Sequence, residues 1–335
     1  MKYIKSSTLL VAWLVVTALC TSPVVLAGGT MKMASATIND VQHQWQKVFS
    51  QELAGRIGDE INVEIYPASQ LGPIPQMAEG VVLGTIESFI SPTAFLVPSN
   101  PKFKIYDAPG IFDSAQHLGR TIHDPAYRDV LEEIALDSGL RVIGAVYNSP
   151  FVVLTTKKVT SLSGLSGLKI RTFASPLQME PMKAIGVSPL PLPLSEVVPA
   201  LQTGAVDGML AGVPILTAFK FYDISPHVLD LQFSHIISVN VINEDWFQSQ
   251  SETVKQAIRE AGRAAETAVL QWGIDNLARS NKAWGEHGGT IYPLSPGDRE
   301  EMSKVFKEIG TRLLLEDEVT AGEYRRFLEV VERNR

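Results

Sequence analysis

The chain has 335 residues and carries 29 Lys+Arg against 36 Asp+Glu, a formal charge of −7, with one cysteine. That balance argues against nucleic acid as a partner, although a single local cation is enough to bind a small anion. One thiol excludes an internal disulfide and a multi-cysteine metal site, and the length exceeds one ordinary domain.

The first residues read as an export signal. A basic start with Lys2 and Lys5 precedes an apolar run over 9–19, and Val25-Leu26-Ala27 offers small residues for cleavage near Ala27. The run is shorter than the ~20 residues of a membrane span. A retained anchor is the alternative. Cys20 lies inside the signal, and Leu19 before it is too large for a lipid attachment site. No later segment is long and apolar enough to cross a bilayer.

Residues 30–34 predict a first strand. Asn39-Asp40 then caps a helix to about residue 57, with Val41, Trp45, Val48 and Leu53 near one face and Gly58 as the stop. Alternation over 61–66 predicts a half-exposed strand. A short helix over 74–83 ends at Gly84, and a buried strand over 86–91 ends at Ser91-Pro92-Thr93. This βαβαβ order predicts a largely parallel sheet. Pro98, Pro101 and Pro109 punctuate a surface connection before helices at 114–118 and 127–138 and a strand at 141–148. Ser149-Pro150 is a strong break, where the chain is expected to cross into a second domain starting with 151–155.

The stretch 164–208 reads strand, helix, strand, helix, and its first strand ends on Arg171. In open α/β sheets ligands sit outside the carboxyl ends of strands. An arginine there can hold a carboxylate through two parallel hydrogen bonds. It can equally pair with an acid of the protein itself. Residues 229–243 hold two strand-like runs that cross back. Ser249 and Glu252 have capping-box spacing. From there Val254, Ile258, Ala261, Ala265, Ala268, Trp272 and Leu277 keep helical spacing as far as Gly288-Gly289. About 36 residues of helix would be about 54 Å long. Two helices broken near Trp272-Gly273 are the alternative, given the helix penalty of glycine. A last helix is expected over 313–335.

The segments Gly167-Leu168-Lys169-Ile170-Arg171, Gly186-Val187, Glu196-Val197-Val198-Pro199-Ala200-Leu201-Gln202-Thr203-Gly204 and Val206-Asp207-Gly208 are joined by Gly55-Arg56-Ile57 and Tyr66-Pro67-Ala68-Ser69-Gln70-Leu71-Gly72. In order and spacing they make the chain resemble the solute-binding proteins of tripartite ATP-independent periplasmic (TRAP) transporters. The resemblance covers nearly all of it beyond the signal. It implies a two-lobed α/β periplasmic binding protein, type II-like, with crossing strands and a long helix spanning both lobes. The lobes would be 28–148 plus about 237–276, and 149–236 plus about 277–335.

The resemblance also implies a small organic acid as ligand, Arg171 as its carboxylate anchor, and the small and large integral membrane components of a TRAP transporter as partners. No cofactor, metal or nucleic acid is implied, and the protein is expected to be a monomer. Two departures stand out. Phe151 occupies the place where many members carry a second arginine, and 209–214, which includes Val213, lacks an amide that others have. Both make the pocket less polar. They favour a monocarboxylate with an apolar or aromatic body over a C4-dicarboxylate or a sugar acid. Further wall candidates at strand and helix ends are Ser35, Thr37, Ser91, Thr93, Asn148, Phe173, and Phe219 or Phe221. Asp207, between small residues, reads as a turn residue.

The six histidines have no metal-ligand spacing, and no G-x-S-x-G, G-x-G-x-x-G or P-loop is present. No catalysis is expected. An exported enzyme on a two-lobed fold is the rival class.

Overall fold

The structure, a computed structural model, describes residues 29–335. The expected export signal, Cys20 and the cleavage near Ala27 lie outside the described residues. β1 (Gly29–Ser35) leads into α1 (Val41–Ile57), which starts where Asp40 accepts the His43 N–H at 3.1 Å and stops at Gly58, φ 59°. β2 (Ile61–Tyr66), α2 (Ile74–Val82) and β3 (Ser88–Pro92) follow, and β1 pairs in parallel with both β2 and β3. A 3-10 stretch (Pro101–Asp107), α3 (Ala115–Ile122) and α4 (Pro125–Leu136) lead to β4 (Leu140–Thr155).

β4 does not end at Ser149-Pro150 as expected from its proline. It runs on to Thr155, 16 residues in all, and its pairing with the later strand β8 (His227–Asn243) slips in register between Pro150 and Val152. A proline has no N–H for the ladder, and a register slip is where a strand tolerates one. The runs expected over 229–243 likewise form one strand of 17 residues, β8.

Between β4 and β8 lie β5 (Lys169–Thr172), α5 (Pro176–Ala184), β6 (Ser188–Pro191), α6 (Leu194–Gln202), β7 (Gly208–Ala211) and α7 (Val213–Ala218). After β8 come α8 (Glu244–Gln248), α9 (Glu252–Glu286), β9 (Thr290–Pro293), α10 (Pro296–Leu315) and α11 (Ala321–Arg333). The sheet order is β2-β1-β3-β8-β4-β7-β5-β6, with β9 on β8. The two long antiparallel strands β4 and β8 thus join a β1–β3 lobe to a β5–β7 lobe.

α9 is a single helix of 35 residues. Its cap is Ser251, which accepts the Val254 N–H at 3.2 Å; Ser249 instead closes α8, its hydroxyl donating to the Trp246 carbonyl at 2.6 Å. The glycines inside α9 seat it rather than break it. A Cβ at Gly262 would lie 1.9 Å from the Ile143 carbonyl oxygen of β4, and one at Gly273 would lie 3.3 Å from that of Tyr147. Buried Glu266 accepts the Ala145 N–H of β4 at 2.6 Å and pairs with Arg128. α9 packs on α1 of one lobe and α7 of the other, so it backs both. The helix expected over 313–335 is divided: α10 packs on α5, while α11 packs on α4 and α3.

Candidate ligand-binding site

Arg171 is the third residue of β5, opposite Leu190 of β6 and Met209 of β7. Its side chain is 1% exposed. Nε donates to the Leu192 carbonyl at 2.9 Å and Nη1 to the Leu210 carbonyl at 3.3 Å. The guanidinium lies 5.0 Å from the Phe173 ring centroid and 5.9 Å from that of Phe95. Among the described residues no carboxylate lies within ion-pair distance of it. Burial lowers its pKa to about 9, so the group is still a cation at neutral pH. A buried charge without a counter-charge costs several kcal/mol, and an anion brought to it recovers part of that cost.

The guanidinium borders a cleft of about 470 Å³. From the β1–β3 lobe come Ala36 and Thr37 after β1, Gln42 in the first turn of α1, Ile74 of α2, Ser91 and Pro92 of β3, and Phe95. From the β5–β7 lobe come Arg171, Phe173, Leu194, Met209, Ala211, Gly212 and Ile215. Asn148 and Ile236, on the two crossing strands, complete the wall. Asn148 stands at a register slip of β4 between Tyr147 and Ser149, a bulge of the kind that re-aims a side chain. Three of these polar side chains have a buried atom without a hydrogen-bond partner: Thr37 Oγ1, Ser91 Oγ and Asn148 Oδ1. These three atoms are free to hydrogen-bond a polar group placed in the cleft.

Of the candidates taken from the sequence, Arg171, Asn148, Phe173, Thr37 and Ser91 converge here. The others do not line the cleft. The Ser35 hydroxyl lies 3.1 Å from the Thr37 carbonyl and 3.2 Å from Gln46 Oε1, which uses it up inside the β1–β3 lobe. Thr93 opens a buried 3-10 turn, and Phe95, two residues on, reaches the cleft instead. Phe151 lies one layer behind, stacked on Phe233 with 5.5 Å between ring centroids and edge-on to Phe173 at 5.5 Å. Val213 packs in the core behind α7 with Leu216 and Trp284; Phe221 belongs to that core and Phe219 packs against it. Gln42 and Phe95 were not singled out from the sequence. Their only signal was a place just after a strand end or at a helix start. Among the described residues no group of three or more His, Cys, Asp or Glu side chains is placed to hold a metal ion, and no helix is long and apolar enough to cross a membrane.

Two lobes joined by crossing strands, with a buried cation and unpaired polar atoms around the cleft between them, define a solute-binding protein of the periplasmic two-lobed class. The family model for bacterial extracellular solute-binding protein, family 7, matches residues 33–317, and the chain belongs to that family. The sialic acid-binding periplasmic protein SiaP of Vibrio cholerae is 25% identical over 291 residues, 86% of this chain and 90% of that protein. A TRAP periplasmic solute-binding protein from Desulfovibrio salexigens, solved with bound orotic acid, superposes with a TM-score of 0.85 at 22% identity, covering 91% of this chain and 98% of the other. One from Shewanella oneidensis with bound succinate gives 0.83 at 20% identity, covering 91% and 100%. The solved structures share the two-lobed fold. The chain is a TRAP-type solute-binding protein; such proteins are periplasmic, bind small molecules and work with membrane subunits. The family consists of binding proteins rather than enzymes.

Proposed function

We propose that this protein captures a small monocarboxylate with an apolar or aromatic body and hands it, chemically unchanged, to the small and large membrane components of a TRAP transporter. The observation that carries this reading is Arg171: a buried cation without a carboxylate partner among the described residues, bordering the cleft with the unpaired atoms of Thr37, Ser91 and Asn148. It is the only Arg, Lys or His among the cleft-lining residues, so one carboxylate is the charge the site balances. Ile74, Phe95, Phe173, Leu194, Met209, Ile215 and Ile236 supply the apolar remainder. A C4-dicarboxylate or a sugar acid would leave a second charge or several hydroxyls against these side chains.

The ligand touches both lobes at once, so it selects the closed form. In this reading the chain is exported, cleaved near Ala27, and acts as a monomer. One lobe takes 28–148 and about 237–276, the other 149–236 and about 277 to the end of α10. The packing of α11 on α3 and α4 favours counting it with the first lobe rather than the second.

The test is a thermal-shift screen against organic acids after unfolding and refolding to strip carried-over ligand. A true ligand at 100 times its Kd stabilises by about 2.7 kcal/mol. A shift with monocarboxylates that Arg171→Ala abolishes supports the reading. Tight binding of succinate or a sugar acid, with none of simple monocarboxylates, overturns it.

A further inference from the structure

A second hollow of about 890 Å³ lies on the surface beside the cleft. Its walls are Ile74, Ala78, Val82 and Leu83 of α2 and its end, Phe95 and Pro98, and Ala174. Ile74 and Phe95 line both spaces, and Ala174 directly follows the cleft residue Phe173. The two spaces are therefore neighbours that share the side chains of Ile74 and Phe95. The Phe95 ring lies 4.8 Å from the Phe173 ring of the cleft.

The hollow is predominantly apolar and open to solvent, and Leu83 is 69% exposed at its rim. It holds no cation; Glu79 is its one charged residue. We infer that the ligand is an elongated carboxylate, whose head sits at Arg171 and whose apolar tail passes Phe95 to lie in this hollow between α2 and Ala174. This rests on the reading of Arg171 as the carboxylate anchor. The cleft alone suits a compact acid, while the joined space suits one with a tail of several methylenes. Glu79 disfavours a second carboxylate at the far end of that tail.

The test uses butyrate, hexanoate, octanoate and octanedioate as probes in calorimetric titrations. Wild type is compared with Ser99→Trp and Leu83→Glu, both exposed positions on the hollow, and with Arg171→Ala. A buried methylene is worth about fourfold in affinity, and a partly covered one about twofold. Octanoate is expected to bind at least about tenfold tighter than butyrate, and octanedioate more weakly than octanoate. Ser99→Trp and Leu83→Glu should each remove the gain with length and leave butyrate unchanged. Equal affinities for butyrate and octanoate, both lost in Arg171→Ala, would overturn the tail site and leave the anchor standing. A gain with length that survives both hollow variants would place the tail elsewhere and also overturn it. If no acid of any length binds, the anchor reading and the tail site fall together.

Discussion

Gln178 of α5 donates its Nε2 to Asp107 Oδ1 at 2.9 Å and accepts the Phe173 N–H on its Oε1 at 3.2 Å. One buried side chain thus ties the 3-10 stretch of the β1–β3 lobe to the backbone that follows Arg171 in the other lobe. The second carboxyl oxygen, Asp107 Oδ2, is buried without a hydrogen bond. Burial pushes the Asp107 pKa from its ordinary 3.8 up to about 6, against weaker opposing effects of Ser175 and Gln178. Asp40, the buried cap of α1, is raised to about 6 by the same cause.

The direction of the pH dependence follows. A carboxyl with a raised pKa binds its proton more tightly folded than unfolded, so its contribution is full below about pH 4 and is lost as pH rises through about 6. For Asp107 the swing is roughly 2–3 kcal/mol. Asp124 acts oppositely: the Arg333 hydrogen bond lowers its pKa to about 2, so its contribution is present above about pH 4 and lost as pH falls toward 2. In urea unfolding between pH 4 and 7, Asp107 and Asp40 therefore contribute a slope of stability falling as pH rises, against the opposite contribution of His235, whose pKa burial lowers to about 4. Asp107→Asn, which keeps an acceptor for Gln178, should flatten that slope. An unchanged slope in the variant would remove Asp107 as its source.

Arg171 sets function against stability. In the proposed reading the folded chain carries the cost of a buried charge that a bound anion would neutralise. Arg171→Met, apolar and of similar length, should leave the ligand-free melting temperature unchanged or higher. It should also cost about 2–5 kcal/mol in binding of an organic acid. Arg171→Lys keeps the charge but loses the planar two-point grip, and should fall between the two. Differential scanning fluorimetry with and without ligand separates the effects. A ligand-free Met variant that melts several degrees lower would mean that the bonds to Leu192 and Leu210 are what Arg171 is for.

How far the sequence could be read depended on how local each cause was. Arg171 was legible as a cation near the end of a short apolar strand, and the resemblance to TRAP binding proteins is what set it apart from an arginine paired within the protein. Thr37, Ser91 and Asn148 were legible as residues at or near strand ends. Ser35 was not separable from Thr37, because what removes it is Gln46, one helix away. Phe95 was missed in favour of Thr93 because a 3-10 turn, with no apolar period of its own, decides which of the two reaches the cleft. Pro150 read as a break because the register slip that tolerates it belongs to the pairing of β4 with β8, where the partners are about eighty residues apart in the chain. The capping serine was misplaced by two residues because α8 is short and claims Ser249 for its own end.

The buried pair between Glu266 and Arg128 fastens α9 to β4 and α4. Glu266 is 2% exposed, and its other oxygen holds the Ala145 N–H. Removing one partner of such a pair leaves the other charge and a buried N–H unmet. Glu266→Ala should destabilise by about 3 kcal/mol. Glu266→Gln, which still accepts from Ala145, should cost less. Chemical denaturation of both variants checks the order; equal losses would assign the whole effect to the ion pair.

Two glycines of the same helix give a sharper test of how α9 is seated. By intrinsic propensity alone, alanine at either position should strengthen the helix. At Gly285 nothing lies within 4 Å of an added Cβ, so Gly285→Ala should stabilise by about 0.5 kcal/mol near this helix end. At Gly262 the added atom would meet the Ile143 carbonyl oxygen at 1.9 Å. That oxygen belongs to the backbone of β4 and cannot swing aside as a side chain would, so helix and strand must part. Gly262→Ala should destabilise by about 2–3 kcal/mol or more. Because α9 seats on β4 here and runs on past Tyr147 to α7 of the other lobe, the variant should also weaken ligand binding while Gly285→Ala leaves it unchanged. Opposite signs in unfolding free energy, with a binding defect only at Gly262, would establish α9 as the brace of the crossing strands. Equal and small effects at both sites would mean that helix and strand are not in contact at this point.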